Sequence, residues 1–196
     1  MLELTHPKGV CFAARWVALL RAGGVIACPT ETLVGLLADA RNPAAVAEVC
    51  RLKGRASEQP IGVLIPELSA LDALVLEVPE RARALAARHW PGPLTLVLRA
   101  HPGLPPALTR DGKLALRVPG PSPALELVRA FGGPLTATSA NRTGEPAASD
   151  DIEARAIFGD ELAAIVPGAA VGGAASTIVD ASGSELRLLR AGPIVI

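Results

Sequence analysis

Two short segments far apart in the chain carry side chains able to grip an anion: Pro29-Thr30-Glu31-Thr32, followed shortly by Lys53-Gly54-Arg55, and Thr138-Ser139-Ala140-Asn141. Each sets hydroxyl, amide or cationic groups directly after a short apolar run, where the strands of an α/β sheet present residues to ligands. Lys53 and Arg55 flank a glycine, so both cations can turn to one anion while the backbone approaches it closely. Phosphate is the natural partner, although two cations at a helix C-terminus also answer to the helix dipole alone. Arg117 differs in kind. It lies inside the apolar run Leu114-Ala115-Leu116-Arg117-Val118, where a guanidinium needs a partner and its planar fork suits a carboxylate or phosphate; an internal ion pair would serve equally well. Ser139 and Asn141, with Gly144 three residues on, either grip phosphate or ribose oxygens or cap a turn. Thr30 and Thr32, alternating with Glu31, carry the same ambiguity. Ser176-Thr177 closes a glycine-rich loop, and Arg190 ends the Leu188-Leu189 strand.

The elements that must position these residues follow from periodicity and punctuation. An amphipathic helix fits residues 9 to 21, stopped by Gly23-Gly24, and Val25 to Cys28 makes a buried strand ending at Pro29. Asn42-Pro43 opens a helix that runs to about Leu52, leaving Lys53 and Arg55 just past its end. Ile61 to Ile65 is the next strand. Helical stretches at Ser69 to Leu76 and Pro79 to Arg88 lead into Trp90-Pro91-Gly92-Pro93, a rigid turn feeding a strand at Leu94 to Leu98. Leu114 to Val118 is a strand, Ser122-Pro123 caps a helix to about Phe131, and the strand Leu135 to Ala137 runs into the turn Thr138 to Asn141. After a helix near Ile152 to Phe158, short strands at Ala163 to Val166, Thr177 to Val179 and Leu186 to Leu189 read as antiparallel, because few residues separate the last two. The pattern is an α/β chain with a mixed, twisted open sheet and flanking helices.

Composition narrows the ligand. The 196 residues, half of them hydrophobic, suffice for a real core, and no linker or repeat divides them, so one domain spanning residues 1–196 is expected. Nineteen basic residues balance nineteen acidic ones, and aromatics are 3% with tyrosine absent. Such a chain has neither the global positive field nor the stacking side chains of a nucleic-acid platform, so weak or no direct nucleic-acid binding is expected. Cys11, Cys28 and Cys50 form no C-x-x-C pair, and His6, His89 and His101 share no metal-ligand spacing, so no metal site and no catalytic nucleophile is assigned. The 18 uncharged residues from Leu162 to Val179 reach membrane-span length, but Pro167, Gly168, Gly172 and Gly173 interrupt them. A cytoplasmic, non-membrane protein is expected. Walker and G-x-G-x-x-G sequences are both absent, so the residues alone lead to an anion-binding α/β domain.

In order, the motifs resemble the YrdC family of threonylcarbamoyl-adenylate synthases, from about Gly23 to Gly192. Seven carry the likeness: Pro29 to Leu36 (P-T-E-T-x-Y-G-L in the family), Lys53/Arg55 (K-x-R), Trp90 to Thr95 (W-P-G-P-x-T), Arg117-Val118-Pro119 (R-x-P), Ser139 to Gly144 (S-A-N-x-S-G), Ser176 to Asp180 (S-T-I-x-D) and Leu189 to Gly192 (L-R-x-G). The resemblance implies a synthase that makes threonylcarbamoyl-AMP and pyrophosphate from L-threonine, bicarbonate and ATP for threonylcarbamoyladenosine modification of tRNA. It implies Lys53, Arg55, Ser139, Asn141 and Arg190 on ATP, and Thr30, Arg117 and Ser176 on threonine, with Arg117 taking its carboxylate. Mg2+ on the triphosphate and a tRNA-modifying threonylcarbamoyl transferase complex as partner are implied in the same way. Val34 stands where the family has an aromatic residue, Leu37 where it has glycine, and Thr143 where it has serine. The end at Ile196 matches the short form of the family. A carbamoyl-adenylate-forming enzyme and a noncatalytic RNA-binding module are the alternatives.

Overall fold

Strand and helix alternate because the apolar period switches repeatedly between two and about three and a half residues. The computed structural model describes residues 12–54 and 60–196. In chain order its elements are α1 (Phe12–Arg21), β1 (Ile26–Pro29), β2 (Val34–Leu37), α2 (Pro43–Lys53), β3 (Gly62–Leu64), α3 (Glu80–His89), β4 (Leu94–Arg99), β5 (Thr109–Arg110), β6 (Lys113–Arg117), α4 (Pro123–Phe131), β7 (Leu135–Ser139), α5 (Asp151–Phe158), β8 (Ala164–Ile165), β9 (Thr177–Asp180) and β10 (Arg187–Arg190). Among the described residues the strands form one mixed sheet in the order β10-β9-β4-β6-β3-β7-β2-β1-β8, with β5 paired to β6. The α/β class with a mixed open sheet and flanking helices stands as expected.

Local chemistry fixes the helix that matters most for the site. Asn42 Oδ1 accepts from the amides of Ala44 and Ala45 at 3.0 and 3.3 Å, and Pro43 has no amide to leave unsatisfied at the first turn. At the other end Gly54 takes a left-handed φ of 67° and returns its amide to α2. Helix α2 runs one residue further than the sequence indicates, and Lys53 is its last residue. Arg55, expected in the same anion grip, lies outside the described residues, as do Cys11 and His6.

Thr138 and Ser139, expected in a turn, are the last residues of β7 and pair with β2, and three further expectations change. Val34–Leu37 is a strand, β2, paired antiparallel to β1 with Pro29 opposite Val34, so Pro29-Thr30-Glu31-Thr32 forms the corner of a hairpin rather than an open strand end. Gly35 interrupts the apolar alternation and hides this strand in the sequence. Of the last three strands, β9 and β10 are antiparallel, but β8 is parallel to β1 and β9 is parallel to β4. Short spacing between β9 and β10 says nothing about their partners across the sheet. Residues 68–73 make a 3-10 turn rather than a helix to Leu76.

One buried apolar cluster lies behind the sheet. Leu114 and Leu116 of β6 face it with Leu96 and Leu98 of β4, to which they are directly paired, all without exposed surface. Helix α1 packs on α4, α4 and α5 pack on β1, and α3 packs on β4. Cys28 in β1 is wholly buried, and that burial, with Glu126 adding to it, pushes its thiol far above the ordinary range. Iodoacetamide at pH 8 should therefore leave Cys28 unmodified in the native protein and alkylate it after urea unfolding, read by peptide mass mapping. Equal labelling in both states would contradict this burial.

Candidate functional site

Strand register, not strand ends, makes the cavity. Because side chains alternate, Ala115 and Arg117, which alternate with the core leucines of β6, project to the other face, together with Thr95 of β4 and Ile178 of β9, which pair directly. On the neighbouring strands Gly62 of β3 lies opposite Ala137 of β7, and Gly35 of β2 lies opposite Ser139. Glycine and alanine thus floor the middle of this face. A cavity of about 410 Å³ opens over them, within the usual size for a small-molecule site.

One wall belongs to α2 and the loop after β7. Lys53, 3% exposed, donates from Nζ to the Ser139 carbonyl at 2.8 Å and to Asn141 Oδ1 at 2.6 Å. Ser139 Oγ donates to the same amide oxygen at 2.6 Å, and Asn141 Nδ2 donates to the Glu145 carbonyl at 2.6 Å, which fixes the orientation of the amide. Thr143 N bonds the Lys53 carbonyl at 2.9 Å, and Arg142 Nη1 bonds that of Leu52 at 2.6 Å. The loop is therefore sewn to the open end of the helix, where orphan carbonyls need donors.

Arg117 forms the opposite wall. Its side chain is 9% exposed, and Nη1 donates to Glu31 Oε1 at 3.0 Å and to Thr32 Oγ1 at 3.2 Å. Burial pushes this guanidinium below the ordinary arginine value, the Glu31 carboxylate pushes it back up, and the charge of Arg190 lowers it further. It stays protonated, as arginine does in proteins. Two guanidinium groups that feel one another beside a single carboxylate leave this end of the cavity attractive to an anion.

Arg190 reaches the site through a bulge. The register slips between Leu188 and Arg190, so Arg190 rather than Leu189 stands opposite Ile178, whose side chain faces the cavity. From there Nε donates to the Ser176 carbonyl at 2.9 Å and Nη2 to Ser176 Oγ at 3.1 Å, while Thr95 Oγ1 lies 2.8 Å from the same hydroxyl. At the hairpin corner, Thr30 Oγ1 accepts from the amides of Thr32 and Leu33 and donates to the Leu33 carbonyl, so the Thr32 hydroxyl donates to it at 2.9 Å and accepts from Arg117. The Thr30 hydroxyl is spent on the turn. Its methyl, lying beside Gly35, is what Thr30 offers the cavity.

Lys53, Ser139, Asn141, Arg190, Thr30, Arg117 and Ser176 all line this one cavity, and so do Val34 and Leu37. Sequence reasoning named Thr95 only as the end of a motif and gave it no role, and it left out the floor residues Gly62, Ala115 and Ala137 and the pairing of Glu31 with Arg117. Ala115 was readable from its place two residues before Arg117 on one strand; Gly62 and Glu31 needed contacts between distant segments.

The model of the Sua5/YciO/YrdC family, described as telomere recombination, matches residues 18–192. The chain belongs to the Sua5/YciO/YrdC family. Within it, the chain is 39% identical to the threonylcarbamoyl-AMP synthase of Bacillus subtilis over 92% of its length, covering 53% of that protein. It is 37% identical to the threonylcarbamoyl-AMP synthase of Thiobacillus denitrificans, covering 87% of this chain and 92% of that one. The crystal structure of Pyrococcus abyssi Sua5 complexed with L-threonine superposes with a TM-score of 0.88 at 34% identity, over 92% of this chain and 54% of that one. The chain thus spans about half the length of the B. subtilis and P. abyssi proteins.

The bonds that hold Lys53 give a stability test. Asn141→Ala removes the acceptor shared by Lys53 and Ser139 and should lower unfolding free energy by about 1–3 kcal/mol in urea titrations. An unchanged midpoint would show that the Asn141 amide contributes nothing to the fold.

Proposed function

We propose that this protein is a threonylcarbamoyl-AMP synthase, converting L-threonine, bicarbonate and ATP to threonylcarbamoyl-AMP, pyrophosphate and water. The observation that carries the reading is the gathering of Lys53, Asn141, Ser139, Arg190, Ser176 and Arg117 around one cavity, in a chain that shares its family with synthases of that name. The chemistry needs no covalent nucleophile. The threonine amine captures carbon dioxide, or bicarbonate with loss of water, as a carbamate; a carbamate oxygen then attacks the α-phosphorus of ATP and pyrophosphate leaves. What such a reaction requires is alignment of two anions and neutralisation of their charge.

The side chains divide accordingly. Lys53, Ser139 and Asn141, with Arg55, take the triphosphate and ribose side. Arg117 takes the threonine carboxylate, with Ser176 beside it and the Thr30 turn closing that end. Arg190 touches Ser176 and its charge acts on Arg117, so it stands where the two halves meet and can neutralise the α-phosphate as the carbamate approaches. The aliphatic lining of Leu33, Val34, Leu37, Leu64 and Ile178 limits the water around the carbamate.

Among the described residues no cluster of three or more carboxylate, imidazole or thiol groups is placed to hold a metal. A magnesium ion would enter with the triphosphate, whose charge it would offset. Among those residues, too, no helix is long and apolar enough to cross a membrane. The reading includes one catalytic domain over residues 1–196, action in the cytoplasm, delivery of product to a tRNA-modifying threonylcarbamoyl transferase complex, and little direct contact with nucleic acid.

Two assays test it. Pyrophosphate release should require threonine and bicarbonate together with ATP and Mg2+; release that ignores either one would end the proposal. Ala115→Leu puts a branched side chain on the cavity floor rather than in the core. It should abolish turnover and ATP-induced thermal stabilisation while the melting temperature of the free protein stays within a few degrees. Retained turnover would place the chemistry elsewhere.

A further inference from the structure

The contact between Glu31 and Arg117 is lopsided. Both groups are nearly buried, with 11% and 9% of their side chains exposed, and such a pair usually meets as a parallel double hydrogen bond that uses both carboxylate oxygens and one edge of the guanidinium. Here only Glu31 Oε1 reaches Arg117, and only through Nη1. Glu31 Oε2 is buried without a hydrogen-bond partner among the described residues, an arrangement that costs stability. The arginine gains what the carboxylate loses: Arg117 lines the cavity, and among the described residues only its Nη1 has a hydrogen-bond partner.

The surroundings of Glu31 are shaped to keep it there. A Cβ on Gly120, in the loop after β6, would come within 2.9 Å of Glu31 Cγ and 3.3 Å of its Cβ and Cδ. A Cβ on Gly172, in the glycine-rich loop before β9, would come within 2.2 Å of the Glu31 carbonyl oxygen. Two loops thus close over the residue, and both do so at glycine. Glu31 is the carboxylate that meets Arg117, and both side chains are nearly buried.

We propose that Glu31 is a positioning residue for substrate recognition: its end-on contact with one nitrogen of Arg117 fixes that side chain and presents the other edge of the guanidinium to the carboxylate of the amino-acid substrate. The proposal rests on the synthase reading above and adds to it a residue that acts through Arg117. Gly120 belongs to the same device, because it leaves the space through which the Glu31 side chain passes.

The experiment is calorimetric titration of L-threonine, with steady-state KM values for threonine and ATP, on the wild type, Glu31→Gln, Gly120→Ala and the double variant. Glu31→Gln keeps the shape and an acceptor oxygen while removing the charge; Gly120→Ala leaves the carboxylate intact and displaces it, at a glycine whose φ is not in the left-handed region. Each single variant should raise the threonine dissociation constant and KM about tenfold or more, with ATP KM unchanged. The double variant should be little worse than either, since both act on one contact. Wild-type threonine affinity in both single variants would overturn the proposal, as would parallel losses for ATP and threonine, which mark a general structural defect. A wild-type protein that binds no threonine and shows no threonine-dependent turnover would instead overturn the synthase reading.

Discussion

A guanidinium in the middle of a β-sheet is costly to bury and useless once fully paired, and much of the site follows from that conflict. In the proposed role, Arg117 must keep enough partners to remain buried and charged, yet leave an edge for a ligand. The hairpin between β1 and β2 meets the requirement. Its tight corner, closed by the Thr30 hydroxyl, brings the Thr32 hydroxyl and the Glu31 carboxylate to a single nitrogen of Arg117. The polar corner therefore earns its place less as a ligand grip than as a support for the arginine opposite.

The same economy shapes the rest of the cavity. Large side chains on the ligand face of β3, β6 and β7 would fill it, and at the central row the residues are Gly62, Ala115 and Ala137, while leucines alternate with Ala115 on the core side of β6. Emptiness on one face is matched by dense packing on the other. Cations are then brought in from the periphery by devices that bend the chain: the left-handed Gly54 that ends α2 just after Lys53, and the bulge in β10 that turns Arg190 onto Ser176.

Legibility in the sequence divides along the same line. Features set by neighbours in the chain were readable: the Asn42-Pro43 start of α2, its end beside Lys53, and an arginine conspicuous in an apolar strand. Features set by distant contacts were not. Strand β2 was hidden because Gly35 breaks its pattern, and its pairing to β7 depends on a segment about a hundred residues later. Glu31 looked like a turn residue because nothing local reveals that residue 117 will sit beside it. The bulge at Leu189 depends on the register against β9, which alternation within β10 alone leaves open. Arg190 was identified by motif, but its approach to Ser176 rather than Lys53 is a property of the sheet.

This geometry also bears on why the aliphatic Val34 and Leu37 are compatible with the proposed chemistry. Both are fully buried and both line the cavity, and the Val34 main chain accepts the Ala140 amide at 2.8 Å. The Val34 main chain holds the loop carrying Asn141 against the hairpin carrying Glu31, so it joins two walls of the cavity. An aromatic ring would reach further across the space, whereas valine and leucine bring two walls together without entering the polar path between Lys53 and Arg117. In the proposed synthase, recognition of the small, charged part of the amino acid falls to Arg117 and Ser176, and the hydrophobic wall sets the room left for its side chain. With charge neutralisation supplied from fixed positions and the walls coupled through β2, rate depends on how closely the carbamate and the α-phosphate are brought together, a matter of fractions of an ångström in the backbone rather than of any single reactive group.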